Sequence, residues 1–198
     1  LQYYTGATSS VEVAAKLDAN QELTLAGMYR FNKWNYDFQA MGGYMTGDYV
    51  VGAGWSGNIG GAGFNGEMSY FHPEEHFADT SGIFVASLGV NYTFRNSLML
   101  QFAGLFKSDG TTGPAGQGAS FFVVQELSPK SLSLAKYSTF GNISYPVTPL
   151  FTASLAGIFN PSDQSVFFGP TFDVSLSDNI SFLLTAQLFY GEDGTEFG

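Results

Sequence analysis

From residue 81 to residue 107 the chain reads SGIFVASLGVNYTFRNSLMLQFAGLFK, and bulky apolar side chains recur at every second position. Phe84, Ala86, Leu88, Val90, Tyr92 and Phe94 alternate with Val85, Ser87, Gly89, Asn91 and Thr93, a period of two that predicts a β-strand with two unlike faces. A three-residue hairpin loop at Arg95-Asn96-Ser97, with Asn96 in the left-handed conformation, sets Phe94 opposite Leu98, Tyr92 opposite Leu100 and Val90 opposite Phe102. The same register brings Asn91 opposite Gln101, and a slip of one residue would mix the faces.

The pattern repeats along the chain. Residues 1–9 read as a loop or a frayed strand end, and strands are then predicted at 11–17, 23–32, 36–44, 49–57 and 63–71. A polar loop, HPEEHFADT, covers 72–80, and the pair described above follows it. The last third holds two more pairs, 137–147 with 151–159 and 166–176 with 180–190, each given a three-residue loop, at 148–150 and 177–179. That register sets Leu176 opposite Ile180, Val174 opposite Phe182 and Phe172 opposite Leu184. The sum is about eleven strands in one domain over 1–198, interrupted by a long glycine-rich connection at 108–135 in which Ser128-Pro129 is placed to cap a short helix.

One face of these strands is aromatic and aliphatic, and the other is small and polar. A soluble sandwich shows a charged, long-chained outer face; a transmembrane β-barrel turns its apolar face to lipid and its polar face to a lumen. The expected fold is therefore an all-β, antiparallel, up-and-down transmembrane barrel. Composition agrees, with 25 Gly, 20 Phe, 11 Tyr and 12% charged residues, about half the usual share. No run approaches the 18 apolar residues of a spanning helix. Tyr36, Tyr44, Tyr49, Tyr70, Tyr92, Phe94, Tyr145, Phe159 and Tyr190, near strand ends, suit an interfacial girdle.

Of the net charge of −10, little belongs to strand interiors. Glu12, Asp37, Glu67 and Asp173 there oppose Lys16, Arg30 and Lys107, leaving 13 of 17 acids and four of seven bases, a balance of −9, at turns, loops and strand ends. A negative rim excludes nucleic acid as a partner, because phosphates require Lys and Arg. With no cysteine there is no disulfide or thiolate chemistry. The chain opens without a basic and apolar leader, so a targeting segment is expected to have been removed or to lie outside it.

The segments IFVASLGVNYTF, SLMLQFAGLF, LFTASLAGIF and ISFLLTAQLFY, with their compact turns, resemble the outer-membrane β-barrel proteins of Gram-negative bacteria, porins in particular. The resemblance covers nearly the whole chain and is one of pattern, without a motif whose residues carry a role. It implies a bacterial outer-membrane location among lipid and lipopolysaccharide, passive passage of ions or small polar solutes, a protein partner or homo-oligomer as a further association, no cofactor and no enzyme activity. Barrels of this kind have even strand numbers, so the chain is expected to lack at least a closing strand. One inconsistency goes with it: alternation puts the compact turn at 18–21 at the end opposite the turns at 95–97, 148–150 and 177–179.

The candidate lumen-lining residues are Glu12, Lys16, Arg30, Asp37, Gln39, Asn65, Glu67, Asn91, Gln101, Lys107, Asn142, Asp173 and Gln187. In a water-filled interior they set solute preference; in a filled one they pair with each other. Their nearly balanced charge argues against a strongly anion-selective pore. His72 and His76 are the only histidines and are expected as exposed loop residues rather than a catalytic base. Glu74, Glu75, His76 and Asp79 are clustered carboxylates and imidazole without the spacing of a calcium loop, so no metal site is assigned. A non-conducting barrel whose loops bind a partner is the alternative, and a secreted all-β binding domain a third reading.

Overall fold

The computed structural model describes residues 1–17, 22–116, 130 and 133–198. Among these residues every regular element is a strand: β1 (Gln2–Gly6), β2 (Ser9–Leu17), β3 (Leu23–Lys33), β4 (Tyr36–Met45), β5 (Asp48–Ile59), β6 (Ala62–Pro73), β7 (Ile83–Thr93), β8 (Met99–Lys107), β9 (Tyr137–Thr148), β10 (Phe151–Asn160), β11 (Ser165–Ser177), β12 (Ile180–Thr185) and β13 (Leu188–Tyr190). They form an antiparallel up-and-down sheet in chain order from β1 to β12, with β13 paired to β11. The path runs open from β1 to β12 where a closed barrel was expected. No helix among the described residues is long and apolar enough to cross a membrane. The expected short helix at Ser128-Pro129 lies outside the described residues.

The strand number exceeds eleven for two local reasons. Residues 2–6 pair with β2 instead of fraying, Tyr3 opposite Val11 and Tyr4 opposite Ser10. The segment expected as one strand at 180–190 is broken at Ala186-Gln187, so β12 and β13 pair with different stretches of β11.

The chain divides into two compact units, Leu1–Leu88 and Gly89–Gly198. In the first, the turns Trp34-Asn35, Thr46-Gly47 and Gly60-Gly61 all carry two positive φ angles. That is the turn whose twist matches paired strands, and it lets the strands run unbroken to the turn. The strands expected at 49–57 and 63–71 accordingly extend until only Gly60-Gly61 separates them. The compact turn expected at 18–21 lies outside the described residues, but Thr46-Gly47 is a two-residue turn at the same strand ends as the 74–82 loop. Short turns therefore occur at both ends of this unit.

In the second unit the registers hold and the loop chemistry differs. Phe94 N–H donates to Leu98 O at 2.8 Å and Ser97 N–H to Phe94 O at 2.9 Å. Ser97 takes the left-handed conformation with φ 65°, not Asn96. The Asn96 side-chain oxygen instead accepts from Leu98 N–H at 3.3 Å. The other two hairpins close by two-residue turns with a bulge beside each: Thr148 pairs Phe151 and Ser177 pairs Ile180, not Leu176 with Ile180. A two-residue turn plus one bulged residue offsets the strands as much as a three-residue loop, so Val174 still meets Phe182 and Phe172 still meets Leu184.

Little of either unit is interior. Among the described residues the buried apolar side chains are Val50, Phe71 and Val85 in the first unit and Ala115, Ala135 and Phe197 in the second. The interior of the second unit is built by the 191–198 segment folding against 113–116 and 133–135. Phe197 sits 6.2 Å from Phe167 and 6.4 Å from Phe189, ring to ring. The Glu196 carboxylate accepts from Asn160 Nδ2 at 2.8 Å, Ser133 Oγ at 3.0 Å and Ala135 N–H at 3.2 Å.

Candidate functional site: the polar face

Because an extended chain points successive side chains to opposite sides, the registers decide which residues share a face. In the first unit, Ser10 pairs Arg30, Arg30 pairs Gln39, Gln39 pairs Gly54 and Gly54 pairs Glu67. One step along, Asp37 pairs Ser56 and Ser56 pairs Asn65. Glu12 opposes Met28 and Lys16 opposes Thr24 on the same side. All seven predicted residues of this unit thus lie on one face. Arg30 approaches Glu12 at 3.8 Å, and Asn32 Nδ2 donates to Asp37 at 2.9 Å. Neither contact sequesters its groups, which remain largely exposed.

In the second unit Gln101 pairs Asn142, and Asp173 pairs Thr152 on the same side. The depression that Asn91 borders opens on the opposite face, among Val90, Leu100, Phe102 and Leu155, and so does not join Asn91 to the polar pair Gln101 and Asn142. Around them runs a row of hydroxyls: Ser144 Oγ and Ser154 Oγ are 2.8 Å apart, Ser154 pairs Thr171, and Thr171 and Thr185 hydroxyls are 3.1 Å apart. Lys107 is buried with its ammonium 3.5 Å from Asp109, so it serves as a structural ion pair at the strand end more than as an open wall charge. Gln187 falls in the break between β12 and β13 and is exposed.

The opposite face is apolar and uncovered. Leu100, Phe102, Phe172 and Leu184 are 38, 56, 40 and 52% exposed, with no second layer over them among the described residues. In the first unit the aromatic side chains of this face gather towards the two ends of the strands. Phe31 stacks on Phe38 at 5.3 Å and Tyr29 on Phe31 at 5.4 Å near one end. Near the other end Tyr44 meets Tyr49 at 5.6 Å and Tyr49 meets Phe77 at 6.1 Å. Between these groups stand Gly27, Gly42, Ala40, Ala53 and Val51.

His72 is not the loop residue the sequence suggested, since β6 runs through it to Pro73. Its Nε2 is 2.8 Å from Phe77 O, and a carbonyl only accepts, so Nε2 carries the proton and Nδ1 accepts from Tyr70 Oη at 3.1 Å. With Phe77 4.0 Å from the ring, His72 anchors the 74–82 loop. Glu74, in that loop, accepts from Tyr44 Oη at 2.6 Å. Among the described residues no three His, Cys, Asp or Glu side chains gather as a metal site.

Sequence reasoning did not find the cluster around Glu196. Asn160 and Ser165 are fully buried there, and Asp163 accepts from Ser165 N–H at 3.0 Å, Ser165 Oγ at 2.7 Å and Glu196 N–H at 2.8 Å. Burial alone would raise the Asp163 carboxyl, but the hydrogen bonds from Glu196, Ser165 and the Ala115 N–H outweigh it and hold the group below the ordinary carboxylate value. The one local signal was Phe197, an aromatic residue in the otherwise loop-like GEDGTEFG.

No protein-family model, curated protein or solved structure matches this chain.

Proposed function

We propose that this chain forms wall of a bacterial outer-membrane β-barrel, its apolar face in lipid and its polar face lining a water-filled passage for ions or small polar solutes. The observation that carries this reading is the uncovered apolar face: some forty large apolar side chains are exposed among the described residues, most of them on this face, while of the large ones only Val50, Phe71, Val85 and Phe197 are buried. Soluble chains rarely expose a contiguous apolar surface of such extent. A bilayer supplies the missing layer, and an up-and-down strand sheet closed on itself is the one β architecture that satisfies its backbone there.

Dimensions and chemistry support the same reading. β4 has ten residues, about 33 Å, and at a barrel tilt of about 40° it rises about 25 Å, the height of the apolar band in such proteins. Phe38 and Tyr44, in the two aromatic groups, are separated by about 20 Å of strand, a rise of about 15 Å at that tilt, which suits one group towards each interface. The partners are outer-membrane lipid and lipopolysaccharide outside and the solute within.

Single-channel recording in planar lipid bilayers tests the passage. Discrete conductance steps are expected. A chain that inserts but stays silent refutes the channel and favours a non-conducting barrel acting through its loops, a role that the inter-strand contact of Arg30 with Glu12 and the in-folded 191–198 segment would also suit. A chain that is monodisperse without detergent refutes both.

A further inference from the structure

One transverse row on the polar face of the first unit carries opposite charges at its two ends. From β3 to β6 it reads Arg30, Gln39, Gly54, Glu67. The row crosses a depression of about 560 Å³ that also takes in Asp37 and Asn65. Gly54 gives it a floor of bare backbone, and a Cβ there would stand 3.0 Å from Gln39 Nε2 and 3.2 Å from Gly66 O. The Gln39 amide therefore lies over the glycine, between the two charges.

The charged groups have capacity left. Arg30 meets Glu12 only at 3.8 Å, and a guanidinium has five N–H donors, enough for a second carboxylate. Asp37 accepts one hydrogen bond, from Asn32, and Glu67 is exposed. Arg30 and Glu67 are three strand spacings apart, roughly 14 Å between Cα atoms. A dipeptide spans about 7 Å, and the two side chains bridge the remainder.

We propose that this depression binds a small zwitterion of amino-acid or dipeptide size, its carboxylate on Arg30, its ammonium on Glu67 and Asp37, and its amide over Gln39 and Gly54. A simple anion would meet two carboxylates and a simple cation the guanidinium; a neutral sugar would leave both charges unused. The inference rests on the proposed channel in so far as solute must reach this face.

Its test does not use conductance. Isothermal titration of the detergent-solubilised chain with glycylglycine is compared with N-acetylglycylglycine, which lacks the ammonium, glycylglycine amide, which lacks the carboxylate, and glucose. Glycylglycine is expected to bind about tenfold more tightly than either blocked peptide, the size of one charge-assisted hydrogen bond partly open to water. Glu67→Gln is expected to lower glycylglycine affinity about tenfold and leave the N-acetyl peptide unchanged; Arg30→Gln spares the amide instead. Lys33→Gln, off this face, is expected to change nothing. Equal binding of free and blocked peptides, binding of glucose alone, or no binding of glycylglycine overturns the proposal. Because the blocked peptides are compared on the unaltered chain, a variant that misfolds does not remove the test. A silent channel that retains this ligand pattern sinks only the conduction.

Discussion

Leu155 and Ala156 are neighbours in the middle of β10 and point to opposite faces, which makes them a matched probe of where the bilayer is. Leu155 lies on the apolar face opposite Ile143, with Pro170 on its other side, and is 43% exposed. Ala156 lies on the polar face between Asn142 and Gly169. On a surface in water, Leu155→Lys would change stability by no more than about 0.5 kcal/mol, since the side chain is already well exposed and the lysine methylenes cover the same neighbours. At a bilayer midplane the same change costs about 2–4 kcal/mol, because an ammonium replaces an apolar group in hydrocarbon. That is roughly 30- to 1,000-fold in the folding equilibrium. Ala156→Lys, with Gly169 leaving room beside it, is expected to cost less than about 1 kcal/mol. Guanidinium unfolding in phospholipid vesicles, followed by the fluorescence of Trp34 and Trp55, reads both. A Leu155→Lys cost below about 0.5 kcal/mol, or an equal cost at both positions, would refute the assignment of the faces.

Other expectations concern the 191–198 segment and the turns. Glu196→Ala strands the buried Asn160 Nδ2 donor, while Ala135 N–H keeps Ser133 Oγ as acceptor, and is expected to weaken docking of the segment by about 1–3 kcal/mol, seen as faster amide exchange over 191–198; unchanged exchange would contradict it. Asp163 has its folded carboxyl held below the unfolded value, so its contribution is complete above about pH 4 and is lost as pH falls through the lower folded value. Protection of the Glu196 and Ser165 amides should decline over that interval and lose its pH dependence in Asp163→Asn. Gly66→Ala would place a methyl group against the Trp55 indole, so a shifted Trp55 emission is expected; an unaltered spectrum would show that the ring is not held there.

Arg30, Asp37, Gln39, Asn65 and Glu67 were legible as one polar face because extended backbone leaves no choice about alternation. Their gathering into one depression was not, because it depends on which residues stand level across four strands. Lys107, a candidate lumen residue, is buried at its strand end with its ammonium beside Asp109, which alternation alone does not register. His72 misled because Pro73, Glu74 and Glu75 after it carry loop chemistry, while strand pairing to Tyr49 extends β6 through it.

The period of two in the amino-acid order thus determined by itself the positions of the strands from β2 to β11, the two unlike faces and the hairpin offsets, since each depends only on neighbours along the chain or across one turn. The tertiary structure alone decided how each turn divides its offset between loop and bulge, where the last long segment breaks into β12 and β13, and how Glu196 and Phe197 are held. A bulged two-residue turn and an unbulged three-residue loop leave the same alternation behind them. Contacts such as Glu196 with Ser133 join residues 63 apart, where no local periodicity records the pairing.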